Sequence, residues 1–168
     1  MTRAGQAALI PHARNPFEWL IEKITRSPVH HVIVAVDDDT VVSAEIPRVR
    51  YRPTSHFPDA IWSDFDLTDT QSWQIVGFAQ RQVGKRYALG DDILIGVALL
   101  TGTHTPAWIE RRLNDQRRWM CSELVAAAYD AGGIDMFPET PMAAVYPGMF
   151  VPVWKRHGWW PTTLGRTS

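Results

Sequence analysis

The chain has 168 residues, 45% of them hydrophobic, which is enough for one domain built on a single core. Seventeen Lys and Arg nearly balance 18 Asp and Glu for a formal charge of -1, so no global field draws the chain to nucleic acid or to an anionic membrane surface. A single cysteine, Cys121, excludes an intramolecular disulfide and fits a reducing compartment.

Residues 1–14 hold no apolar run of signal-peptide length and are expected to be flexible. Asn15-Pro16-Phe17-Glu18 reads as an N-cap, a first-turn proline and a third-position glutamate, so a helix is expected to run to Arg26, where Ser27-Pro28 stops it. Val29–Val36 and Val41–Ile46, separated by Asp37-Asp38-Asp39-Thr40, read as a β-hairpin whose two faces are both largely apolar. Pro47–Pro58 reads as irregular and basic, and Ala60–Leu67 as a third strand. A helix over Thr70–Val83 places Trp73, Val76, Ala79 and Val83 on one face and ends at Gly84. Asp91–Leu100 and Thr105–Leu113 read as further helices, and the apolar run Ile93–Leu100 is too short to span a bilayer. The Cys121 helix, closed by Gly132-Gly133, is followed by a proline-rich stretch and a last strand near Phe150–Lys155. The expectation is one α+β domain, cytoplasmic, with no membrane span.

Chemistry concentrates on Cys121. Leu124, Val125 and Ala128 share its helical stripe, so the thiol faces inward at the helix's amino end, where unpaired amides and the helix dipole favour thiolate and can stabilise an oxyanion. A small buried hydrophobe would suit the same stripe. Strict alternation puts His31 on a face with Val29, Ile33 and Ala35, and His30 on the other with Val32 and Val34. On the second strand Ser43 and Glu45 share a face. A three-residue turn over Asp37–Asp39 sets Glu45 opposite His31, whereas a two-residue turn sets it behind His30.

These residues resemble a family, the circularly permuted NlpC-type papain-like cysteine hydrolases (the YiiX-like branch), a group that also includes relatives of the lecithin retinol acyltransferases. The resemblance is carried in order by Ser27-Pro28-Val29-His30-His31-Val32, Val41-Val42-Ser43-Ala44, Gly84-Lys85-Arg86-Tyr87, Cys121-Ser122-Glu123-Leu124-Val125 and Thr140-Pro141. Histidine before cysteine marks the permuted branch. The resemblance implies a papain-like fold with an antiparallel sheet against the cysteine helix, Cys121 as nucleophile and His31 as its base. The family often has an acidic residue where Ser43 stands, which makes Glu45 the substitute third member and Ser43 the alternative. Tyr87 matches a tyrosine near the family's catalytic cysteine, and Tyr87 and Ser122 are the expected oxyanion or substrate contacts.

Other signals weigh less. Arg111, Arg112, Arg117 and Arg118 read as a solvated face, Glu123 as a cap residue, the eight tryptophans as core packing, and His12, His56, His104 and His157 lack metal spacing. The expected activity is thiol hydrolysis of an amide or ester (a peptidase, amidase or acyl hydrolase) on a peptide, a peptidoglycan fragment or a lipid, with no cofactor and no metal. The competing reading is a catalytically silent binding or structural module using the same cleft, virion-associated if the chain derives from a phage or prophage.

Overall fold

A computed structural model describes residues 4–11, 27–87 and 118–162. The helices expected over Asn15–Arg26, Asp91–Leu100 and Thr105–Leu113 lie outside the described residues. Within them the fold is α+β. Five strands, β1 (Ala7–Pro11), β2 (Val29–Ala35), β3 (Thr40–Ala44), β4 (Val49–Pro53) and β5 (Ile61–Trp62), form an antiparallel sheet in the order β4-β3-β2-β1-β5. A parallel pair, β6 (Arg86–Tyr87) and β7 (Arg118–Trp119), three α-helices, α1 (Asp69–Gln82), α2 (Cys121–Ala131) and α3 (Phe150–Arg156), and short 3-10 turns at Thr54–His56, Met142–Ala144 and Pro147–Met149 complete the described elements.

The hairpin forms as its sequence requires. Val36 N–H donates to Thr40 C=O at 2.9 Å, and Val34↔Val42 and Ala35↔Val41 pair, which leaves Asp37–Asp39 as a three-residue turn tightened by Asp39 N–H on Asp37 Oδ1 at 2.9 Å. Both sheet faces are covered. Ala7, Leu9, Val32, Val34, Val42 and Ala44 join the α2 side, while Ala8, Ile10, Ile33, Ala35 and Val41 close on Phe57 opposite.

Three expectations are corrected. The amino-terminal residues are not flexible throughout, because Ala7–Pro11 is a fully buried strand between β2 and β5. A short run covered on both faces has no period to betray it. Pro47–Pro58 is not irregular: it contains β4, whose residues alternate from buried Val49 through half-buried Arg50 to exposed Tyr51, an edge strand whose charges discourage further pairing. Phe150–Arg156 is a helix, not a strand. Pro152 falls in its first turn, where a missing N–H costs nothing, and Phe150, Val151 and Trp154 then face inward. The third strand shrinks to Ile61–Trp62.

Helix α1 opens with a reciprocal capping box, Gln71 N–H on Thr68 Oγ1 at 3.2 Å and Thr68 N–H on Gln71 Oε1 at 3.0 Å, and stops at Gly84, whose φ of 90° suits glycine. Its buried face is Ile75, Ala79 and Gln82, so the expected stripe is rotated and Trp73 stands 75% exposed. Helix α2 packs on α1 and on β2, and a Cβ at Gly132 would come within 2.7 Å of Ile75 Cγ1, so the two helices meet there at glycine distance.

Candidate active site

Cys121 is the first residue of α2 and is 3% exposed, packed in the α2-side core together with Trp119, Leu124, Val125 and Ala128, as its helical stripe requires. Glu123 reaches back to the Met120 amide at 3.5 Å, the cap role read from sequence. The Ser122 hydroxyl is buried and donates to Val145 C=O at 2.6 Å, while its backbone amide stands at the helix's amino end. Tyr87 is half-buried on β6 and pairs in register with Trp119, two residues before Cys121. The chain order of β7, Met120 and α2 therefore sets Tyr87 beside the strand that delivers the thiol.

His31 sits where β2 begins, and a register shift there breaks simple alternation. Ile10 pairs with His31 but Pro11 pairs with Val29, so the backbone bulges at His30. Consequently Val29 joins Val32 and Val34 in the α2-side core, against the expected face, and the two imidazoles stack with centroids 6.4 Å apart and planes within 17°. The His31 ring also lies 5.9 Å from Phe57 on the opposite side of the sheet from that core.

The direct ring partner of His31 is Ser43, with Nε2 and Oγ 2.7 Å apart. Hairpin register alone would favour Glu45, since the three-residue turn brings it level with His31. The Glu45 carboxylate is instead gripped by Arg52, at 3.1 Å from Nε and 2.7 Å from Nη2, and hydrogen-bonds Ser43. Glu45 is thus one step behind the hydroxyl. The charges order the protons: an ionised carboxylate only accepts, so Ser43 donates its single proton to Glu45 and accepts from His31 Nε2–H. That tautomer leaves Nδ1 as the basic nitrogen.

Electrostatics agree. Burial pushes His31 down to about 4, helped by His30 and His56 and opposed by Glu45. Burial would raise Glu45, but its bonds from Arg52 and Ser43, with the charges of His31 and Arg52, outweigh this and hold it below the usual carboxylate range. A group whose folded pKa is depressed binds fewer protons folded than unfolded between the two values, so His31 contributes stability that is full above its ordinary 6.5 and is lost as pH falls toward 4. Discounted for its partly open side, that amounts to about 2 kcal/mol. Urea midpoints taken from pH 7 to pH 4 should fall in the wild type and fall distinctly less in His31→Gln; parallel profiles would remove His31 as the acid-sensitive group.

The residues that sequence reasoning missed are Arg52 and Phe57. Arg50 and Arg52 alternate along β4 and Arg48 immediately precedes it, a signal present in the sequence but hidden while Pro47–Pro58 reads as a loop. Arg111, Arg112 and Arg117 lie outside the described residues. Among the described residues no cluster of three His, Cys, Asp or Glu is placed to hold a metal ion, and no helix is long and apolar enough to cross a membrane. No protein-family model matches the chain, and no curated protein matches it either.

Proposed function

We propose that the chain is a thiol hydrolase with the permuted papain-like arrangement its motifs resemble, cleaving an amide or ester bond. The observation that carries this reading is the file His31 Nε2, Ser43 Oγ, Glu45 and Arg52, which holds one imidazole with Nδ1 uncommitted to that file, on a strand packed against the helix that begins at Cys121. His31 and Ser43 share the Phe57 face of the sheet while Cys121 packs on the other, so in this reading the His31 ring must reach round the start of β2, where Nδ1 takes the Cys121 proton as sulfur attacks the substrate carbonyl. Amides at the start of α2 receive the oxyanion, the imidazolium returns its proton to the leaving amine or alcohol, and water activated by Nδ1 releases the acyl group from sulfur. Because His31 titrates near 4, the resting imidazole is neutral at pH 7 and charges only as the reaction proceeds, when Ser43 and Glu45 stabilise it. No cofactor enters these steps. Peptide amides, cell-wall peptides among them, and lipid acyl bonds both suit the chemistry.

The test is acylation. Mixed with p-nitrophenyl butyrate and quenched in acid, the protein should release a stoichiometric burst of nitrophenol and carry a butyryl group on the peptide containing Cys121. Neither should occur in Cys121→Ala. A burst that survives that substitution, or a wild-type protein that stays unacylated at Cys121, would overturn the reading.

A further inference from the structure

We infer that the substrate carries an anionic group, a phosphate or a carboxylate, close to its scissile acyl bond, and that Arg50 and Arg48 hold it with Arg86 at the rim. This rests on the thiol-hydrolase reading of Cys121 and His31.

The placement follows from register. Ser43, which holds the His31 ring, is directly paired with Arg50 on β4, and cross-strand partners stand on one face with their Cβ atoms about 5 Å apart. Arg48 lies two residues earlier, on the same face by alternation, and bridges to Arg86 on β6. Strand β6 pairs in turn with β7, whose chain runs through Met120 into Cys121. The arginines therefore line the route from the imidazole to the strand that delivers the thiol.

Their charges are treated unequally. Arg52 is neutralised by Glu45 in a two-pronged ion pair. Arg50 and Arg48 instead donate to backbone carbonyls: Arg50 Nε to Arg48 C=O and Nη2 to Ile46 C=O, both at 3.4 Å, and Arg48 Nη1 to Gly84 C=O at 3.0 Å. Those bonds anchor the guanidinium heads without cancelling charge, and the two at 3.4 Å are long enough to be exchanged for a better acceptor. Like charges facing each other across a bridge, as Arg48 and Arg86 do, cost stability unless an anion lies between them. With the whole chain at -1, this concentration of positive charge is local. A planar fork with several N–H donors matches a carboxylate or phosphate oxygen pair, and half-buried Arg50 acts in the least screened position of the three.

Three matched esters test this: p-nitrophenyl butyrate, p-nitrophenyl hemisuccinate and p-nitrophenyl 3-phosphonopropionate, which are neutral, carboxylate and phosphonate on the acyl side. In wild type at least one anionic ester should exceed the neutral one in kcat/KM by on the order of tenfold, as a charge-assisted hydrogen bond allows. Rising salt should shrink the ratio, and Arg50→Gln or Arg48→Gln should bring it toward one. Which anion is preferred separates a peptide carboxylate from a lipid or other phosphate. Equal rates for all three esters, or a preference untouched in both variants, would overturn the inference. If no ester is turned over, the hydrolase reading fails separately and calorimetry with phosphonopropionate and succinate on Cys121→Ala decides: binding weakened about tenfold by adding Arg50→Gln upholds the anion site, and no binding of either refutes it.

Discussion

His31→Ala should slow acylation of Cys121 by on the order of 10²- to 10⁴-fold, the range that a positioned general base supplies. Ser43→Ala should follow at about ten- to a hundredfold, because the hydroxyl meets Nε2 at 2.7 Å and its loss leaves the forming imidazolium without the acceptor that aligns it. Glu45→Gln should cost less than Ser43→Ala, since the carboxylate acts through the hydroxyl and is half engaged by Arg52. The order Ser43 before Glu45 is what a ring held by the hydroxyl demands; a ring held directly by the carboxylate would reverse it. A second readout separates positioning from damage to the fold. Wild-type kcat/KM should hold from neutral pH downward and fail only as the pH approaches about 4, where His31 charges. In Ser43→Ala the plateau should drop while the protein's urea midpoint at pH 7 stays close to wild type. Full activity in His31→Ala would remove the imidazole from the chemistry altogether.

The hairpin and the cysteine helix were legible because each has a period and an end: alternating or continuous apolar residues around an aspartate turn, and a 3.6-residue stripe closed by Gly132-Gly133. Register was legible only as a pair of alternatives, and the Val36–Thr40 hydrogen bond selects the three-residue turn. What escaped was set by tertiary contact. Ala7–Pro11 is too short and too uniformly apolar to declare itself, and it becomes a strand because β2 and β5 flank it. The bulge at His30 cannot be seen in Val29-His30-His31-Val32, yet it decides which side chains share a face, and it exists because β1 pairs out of step beyond Ile10. Phe150–Lys155 carries β-branched and aromatic residues that favour a strand, and only its docking of Trp154 makes the helix the better solution. At the site, Glu45 was the chemically stronger orienter on paper, but Arg52, in a segment that reads as loop, claims it and hands the ring to Ser43.

Trp154→Ala should destabilise the protein by about 3–5 kcal/mol, the range for emptying the space of a large buried aromatic. Trp154 is fully buried, and its ring meets Phe150, Trp159 and Phe65 edge-on at centroid distances of 6.0, 5.5 and 6.4 Å. Its Nε1–H donates to Ile61 C=O at 2.9 Å, so truncation removes packing and also strips a buried carbonyl of its donor. Trp154→Phe keeps most of the body and loses that bond, and should cost about 1–3 kcal/mol. The loss propagates along the sheet, because Ile61 pairs with Leu9 on β1 and β1 pairs with the strand that carries His31. Amide hydrogen exchange should therefore accelerate first at Ile61 and Leu9 in Trp154→Ala, ahead of Val41 and Val42 on the far side of β2. A urea midpoint within error of wild type would mean that α3 does not brace β5, and uniform exchange across the sheet would mean that the sheet opens as one unit rather than from this edge.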